Sequence, residues 1–301
     1  SGELTINYRD VTRQVMAREK VLYEGHPVAA VAAVSEAVAL QALDLIRVDY
    51  EVLPHVIDVV AAMQPGAPLL HDKQYTVGVT PKPDHPSNVA KRIEFTLGDV
   101  AAGFAQADVV VEREFNTKAV HQGYIEPQAC IATCTEDGQV DLWTSTQGAF
   151  TFRSQCAIVL QMDVSKIRVI PTEIGGGFGG KNNVYNEPLA IVLSRKSHRP
   201  VKMVMTREEV FRATGPTSGA NLKVKLGCTR DGKITAAQAE MNFQAGAFAG
   251  SPIAQATMCA FTRYDLANVH VVGRDVTSNR PKVAAYRAPG APIAAFAVES
   301  V

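Results

Sequence analysis

Five of the six residues from Gly175 to Gly180 are glycine, and this run constrains the fold more than any other feature of the chain. Without β-carbons, such a stretch leaves its backbone N–H groups uncovered and can wrap closely around an anion or a cofactor. It follows a strand-like segment, KIRVIP, and precedes a helical one, YNEPLAIVLSRK, where Pro188 suits the first turn. Gly175, Gly177 and Gly180 satisfy the GxGxxG spacing, and Gly175 with Gly180 and Lys181 satisfies GxxxxGK; glycine density nearly forces both matches. A phosphate loop needs Ser or Thr where Asn182 stands. A dinucleotide loop belongs at the first strand–helix turn of its domain, with an acidic residue about 20 positions on. Here several strands precede it, and the region from Lys196 to Arg199 is basic. Three readings stay open: a nucleotide loop, a structural turn, or a loop for a different cofactor. Phe178, an aromatic inside the run, either anchors the loop in a core or presents a flat wall to a ligand.

Two further segments carry possible chemistry. VHQGYIEP, from Val120 to Pro127, offers His121 and Gln122 as hydrogen-bonding groups, and Glu126 either acts in a site, pairs with an arginine or caps a neighbouring backbone. AYRAPGAP, from Ala285 to Pro292, sets Arg287 on a frame of Pro289, Gly290 and Pro292. A guanidinium fork on a stiff frame suits phosphate, pterin or carboxylate recognition; a turn arginine is the plainer alternative.

The remaining pattern is α/β. VAAVAAV (Val28 to Val34) reads as a strand, Ser35 as the cap of the helix SEAVALQALDLI, and RVDYEVL (Arg47 to Leu53) as an alternating strand closed by Pro54. Five prolines between Gln64 and Pro86 mark a linker or a long surface crossing. Then KRIEFTLG is strand-like, DVAAGFAQA helical and DVVVEREFN a strand. Asp137-Gly138 and Asp231-Gly232 turn two hairpins. FTFRSQCAIVLQ is an amphipathic helix, and PVKMVM a strand.

Composition excludes several classes. With 47 % hydrophobic residues and 20 % charged, the chain is globular rather than disordered. Thirty basic residues balance thirty acidic ones, which argues against a nucleic-acid partner. No apolar run reaches the roughly 20 residues of a membrane span. The opening SGELTINYRD is polar and unlike a signal peptide. Five cysteines with no CxxC pair form neither a disulfide framework nor a metal site, so the expected location is the cytoplasm and no metal ligands are assigned. The helical C-terminal run APIAAFAVESV stops without a Gly or Pro cap, as in a fragment, a processed subunit or one piece of a divided protein.

VHQGYIEP, STQGAF, GGGFGGK and AYRAPGAP, in this order, resemble the large subunit of the xanthine oxidase family, the molybdenum hydroxylases that bind molybdopterin. The resemblance spans nearly the whole chain. It implies an α/β (α+β) fold: the second half of an α/β-hammerhead domain over residues 1–64, a Pro-rich linker over 65–90, and a C-terminally truncated first molybdopterin-binding domain over 91–301. It implies cofactor contacts from Gly176, Gly177, Phe178, Gly179 and Arg287, with Gln122 hydrogen-bonding an oxygen ligand of the metal. The catalytic residue is not assigned, because the family's glutamate base lies in a second cofactor domain. The implied activity is hydroxylation or dehydrogenation of an aromatic heterocycle, an aldehyde or an aryl-CoA thioester. Electrons would pass to iron–sulfur and FAD partner subunits, and the chain alone would be inactive. The departures narrow this. Purine-oxidising members carry Glu at the position of Asn182, an aromatic at that of Pro289 and an arginine near Gln255; CO dehydrogenases carry a cysteine at that of Ala288. The competing readings are a non-catalytic scaffold fragment and a nucleotide-binding phosphate-loop (P-loop-like) protein.

Overall fold

The computed structural model describes residues 8–301; the first seven residues of the polar opening segment lie outside the described residues. In chain order the elements are α1 (Tyr8–Val15), α2 (Glu36–Leu43), α3 (Val59–Ala62), β1 (Val89–Leu97), α4 (Val100–Ala105), β2 (Val109–Thr117), β3 (Ala129–Cys134) and β4 (Val140–Thr144). There follow α5 (Ala149–Leu160), β5 (Ile167–Pro171), α6 (Glu187–Ser197), β6 (Val201–Val204), α7 (Arg207–Ala213), β7 (Ala220–Cys228), β8 (Ile234–Gly246), α8 (Ile253–Cys259), β9 (Val269–Thr277) and α9 (Ala291–Val298). The architecture is mixed α/β, with two mixed sheets.

The chain divides into two compact units that interleave in sequence. Among the described residues, one comprises residues 55–120 and 216–301, the other residues 8–54 and 121–215. Residues 65–90 lie within the first unit.

The first unit is built on the five-stranded sheet β1-β9-β8-β7-β2. β7 and β8 pair antiparallel around the Asp231-Gly232 turn, and β8 and β9 run parallel from Ala237 opposite Val269. Successive strand residues face opposite ways. Ala237, Ala239, Met241 and Phe243 on β8 therefore join Leu222 and Val224 on β7 in one core, with Ile253 and Ala256 of α8 and Ala294 and Ala297 of α9 packed on them. The Pro-rich stretch contributes to the packing of this unit. Leu70 is buried with Val56, Val59, Ala62 and Val276, and His71 Nε2 lies 2.7 Å from the Ala247 carbonyl oxygen.

The second unit holds the four-stranded sheet β5-β4-β3-β6, with β4 and β5 parallel and the other pairs antiparallel. Phe152, Cys156 and Ala157 of α5, Ala190 and Ile191 of α6, and Val11 and Val15 of α1 bury against Ala132 and Leu142. Ser35 caps α2, its Oγ accepting the Val38 N–H at 3.3 Å. The two strands expected on either side of α2 do not form: residues 28–34 and 47–53 carry no ladder, and Val34 and Val52 stand 94 % and 85 % exposed. An apolar run becomes a strand only when another strand satisfies its backbone, and among the described residues none does.

Candidate functional site

The glycine run lies between the end of β5 and the start of α6, in the second unit. Its backbone requires glycine where it turns: φ is +96° at Gly176 and +104° at Gly179, a region L-residues rarely occupy. Phe178 also lies at positive φ, 52°. Its ring is 47 % exposed and passes 3.4 Å from where a β-carbon on Gly176 would be. At that exposure Phe178 is not anchored in a core.

The loop's donors divide into those used internally and those left over. Gly175 N–H donates to Glu126 Oε2 at 2.8 Å, and Gly180 N–H to the Gly177 carbonyl at 2.7 Å. Gln147 Oε1 accepts from Gly179 N–H at 2.8 Å and from Lys181 N–H at 3.2 Å. The N–H groups of Gly176, Gly177 and Phe178 make no hydrogen bond among the described residues. Three consecutive unmatched donors flanked by glycine form a cradle for an electron-rich ligand.

Lys181, which would reach a nucleotide phosphate in a phosphate loop, points the other way. Its side chain is 0 % exposed and its Nζ sits 2.5 Å from Glu126 Oε2. This orientation removes the phosphate-loop reading. Glu126 thus pairs with a lysine, where the sequence suggested an arginine, and it caps the Gly175 backbone as well. Beneath the loop, Tyr124 is buried with its ring 5.1 Å from Lys181 Nζ. Gln128 donates to the Tyr124 hydroxyl, which lies 3.3 Å from Thr214 Oγ1.

His121 Nδ1 accepts from the Gly123 N–H at 3.1 Å, and its Nε2 lies 2.8 Å from Thr214 Oγ1. Thr214 gives its own hydroxyl proton to the Val210 carbonyl, so Nε2–H is the donor to it and the ring is held neutral. Burial, with the Arg207 charge beside it, lowers the His121 pKa to about 4. Glu187, at the start of α6, is also buried. It accepts from Thr144 Oγ1 at 2.8 Å and from Tyr185 N–H at 2.9 Å, and burial pushes its carboxyl up.

Gln122 is buried behind the loop and donates from Nε2 to the Gly215 carbonyl at 3.1 Å. A β-carbon on Gly180 would lie 3.1 Å from its carboxamide. The structure thus brings Gly176, Gly177, Phe178, Gly179 and Gln122 together in one unit. Arg287 belongs to the other unit, just before α9. Arg287 and Ala288 both take positive φ, 32° and 59°, strain of a kind that collects at ligand sites. The Arg287 side chain is exposed and has no hydrogen bond or ion pair among the described residues.

Gln147 is the residue that sequence reasoning missed. It lies in the STQGAF segment, but only the fold shows its Oε1 fixed by two loop N–H groups while its Nε2 keeps no partner among the described residues. Among the described residues no three His, Cys, Asp or Glu side chains gather as a metal-ligand set. A donor-lined cradle without charge suits the polar, oxygen-rich body of a pterin.

Residues 81–301 match the family described as molybdopterin cofactor-binding domain, and residues 2–54 the aldehyde oxidase and xanthine dehydrogenase a/b hammerhead domain. The chain is 32 % identical over 284 residues to the nicotinate dehydrogenase large molybdopterin subunit of Eubacterium barkeri, covering 93 % of this chain and 64 % of that one. It is 32 % identical over 314 residues to a probable hypoxanthine oxidase of Escherichia coli, covering 94 % of this chain and 32 % of that one. Reconstituted CO dehydrogenase from Oligotropha carboxidovorans superposes with a TM-score of 0.83 at 31 % identity, over 95 % of this chain and 37 % of that one. The chain thus spans less than two thirds of these relatives. With the profile, the superposition and the donor cradle in agreement, this chain belongs to the xanthine oxidase family of molybdenum hydroxylases and corresponds to part of its molybdopterin-binding large subunit.

Proposed function

We propose that this chain supplies one wall of the molybdenum-cofactor site of a multi-subunit hydroxylase or dehydrogenase. The observation that carries the reading is the run of three unmatched donors at Gly176, Gly177 and Phe178. When bound, the molybdenum cofactor supplies two-electron oxidation of a substrate carbon. The chain's own residues bind and orient it. The loop N–H groups donate to its acceptor atoms, and Gly179 lets it approach the backbone, while Gly177 leaves room for Gln147. Phe178 screens one side from water. In this reading Gln147 Nε2 donates to an oxygen ligand, beside the bond the resemblance gives to Gln122. Arg287 offers a fork for a bidentate contact.

The substrate class we favour is a nitrogen-containing aromatic ring. Relatives named for nicotinate, hypoxanthine, nicotine and quinoline support it, and Ala288 argues against CO. Electron-carrying iron–sulfur and FAD subunits and the remainder of the large subunit are the proposed partners. Five free cysteines suit a reducing compartment, the cytoplasm.

Molybdenum and pterin analysis of the protein purified with its partners tests this. The expected result is near-stoichiometric cofactor in wild type. Arg287→Ala should lower retention roughly ten- to a hundredfold, the value of a lost charge-assisted bond, and Arg287→Lys should rescue it only in part. Wild-type cofactor in the alanine variant would remove Arg287 from the site. Absence of cofactor from the assembled wild type would leave a scaffold.

A further inference from the structure

Glu126 bridges the two ends of the glycine loop with one oxygen. Its Oε2 accepts Gly175 N–H at 2.8 Å, where the loop begins, and Lys181 Nζ at 2.5 Å, where it ends. Its backbone N–H donates to the Gly175 carbonyl at 3.2 Å. Glu126 itself keeps 31 % exposure, whereas Lys181 is sealed. A buried ammonium needs its counter-charge, so the loop's exit is bound to whatever position Glu126 takes. From the other side, Tyr124 sets the floor: a β-carbon on Gly180 would lie 2.7 Å from its ring, and one on Gly176 3.0 Å from its Cβ.

We infer that Glu126 is the positioning residue of the cofactor loop: by clasping Gly175 and Lys181 together it fixes which backbone donors, those of Gly176, Gly177 and Phe178, face the cofactor. The inference rests on the reading that this loop holds the cofactor. A pair that merely adds stability would change the melting point without changing the order of the loop relative to its surroundings.

The test uses Lys181→Met, which keeps the stem volume, Glu126→Gln, the double variant, and Gly177→Val as a control that disturbs the loop through Gln147 while keeping both charged groups of the clasp. Amide hydrogen exchange of residues 174–182 is measured on the chain without cofactor, and molybdenum and pterin content on the assembled enzyme. The expected result is exchange roughly ten- to a hundredfold faster in the loop of each single variant. The double should be no faster than the faster single, the β3–β4 hairpin should be unchanged, and cofactor content should fall in step. Should Glu126→Gln fail to fold, Lys181→Met carries the test, since a methionine leaves no unpaired buried charge. Wild-type loop exchange in folded Lys181→Met overturns the inference, as does faster loop exchange with full cofactor. Full cofactor in Gly177→Val would sink the cofactor reading; an emptied Gly177→Val beside a full Lys181→Met would sink the positioning role alone.

Discussion

Replacing Gly177 by alanine asks how the loop is braced. The new β-carbon would sit 2.5 Å from Gln147 Oε1, 2.8 Å from its Cδ and 3.2 Å from its Cγ. Gly177 does not lie at positive φ, so alanine meets no backbone strain and the whole conflict is with one side chain. Gln147 is exposed and can swing away, but it then gives up the Gly179 and Lys181 N–H groups it accepts from at 2.8 and 3.2 Å. Each such bond is worth about 1 kcal/mol net, and Gly179 is buried, so its orphaned N–H adds to the loss; the total is about 2–3 kcal/mol. At about 2–4 °C per kcal/mol for a chain of this size, the melting temperature falls roughly 4–12 °C. Gln147→Ala removes the same two bonds and should cost the same. The double variant should cost no more than Gln147→Ala alone, because the clash has lost its partner. Denaturant titration of the four proteins measures the cycle. Additivity of the two single costs within about 0.5 kcal/mol would refute this account of the brace.

Acid titration reads the His121 site. A base whose folded pKa is depressed is protonated first in the unfolded chain, so its contribution is complete above its ordinary value of 6.5 and drains as pH falls toward about 4. His121→Gln should flatten the stability profile across that window, and an unchanged slope would contradict the burial argument. Among the cysteines, exposed Cys259 should react with a thiol reagent in the native protein, while Cys130 and Cys156, buried with thiols pushed up, should react only on unfolding. Equal labelling rates for all three would contradict the packing of α5 on the second sheet.

Local features were legible in the sequence because their causes are local. Ser35 caps α2, Asp137-Gly138 and Asp231-Gly232 turn their hairpins, and Pro188 opens α6, each through contacts a few residues apart. What needed the fold is non-local. VAAVAAV has the composition of a strand, yet composition does not provide a neighbour. The interleaving of the two units follows from pairings such as Glu94 with Val272, which no windowed pattern encodes. The site divides in the same way. The glycines and Arg287 stand out by type and spacing. The inward turn of Lys181 depends on Glu126, 55 residues away, and the role of Gln147 depends on a loop more than 25 residues downstream of it in sequence.

The most direct test of the central claim, that the Gly176–Phe178 donors cradle molybdopterin, is molybdenum and pterin content per chain in the assembled protein, wild type against Gly177→Val. A β-carbon at this position meets Gln147 Oε1 at 2.5 Å, so the valine drives off the side chain that holds the Gly179 and Lys181 N–H groups and the loop's donors lose their presentation. The account predicts near-stoichiometric cofactor in wild type and its loss in a folded, assembled Gly177→Val. Wild-type content in that variant would contradict it.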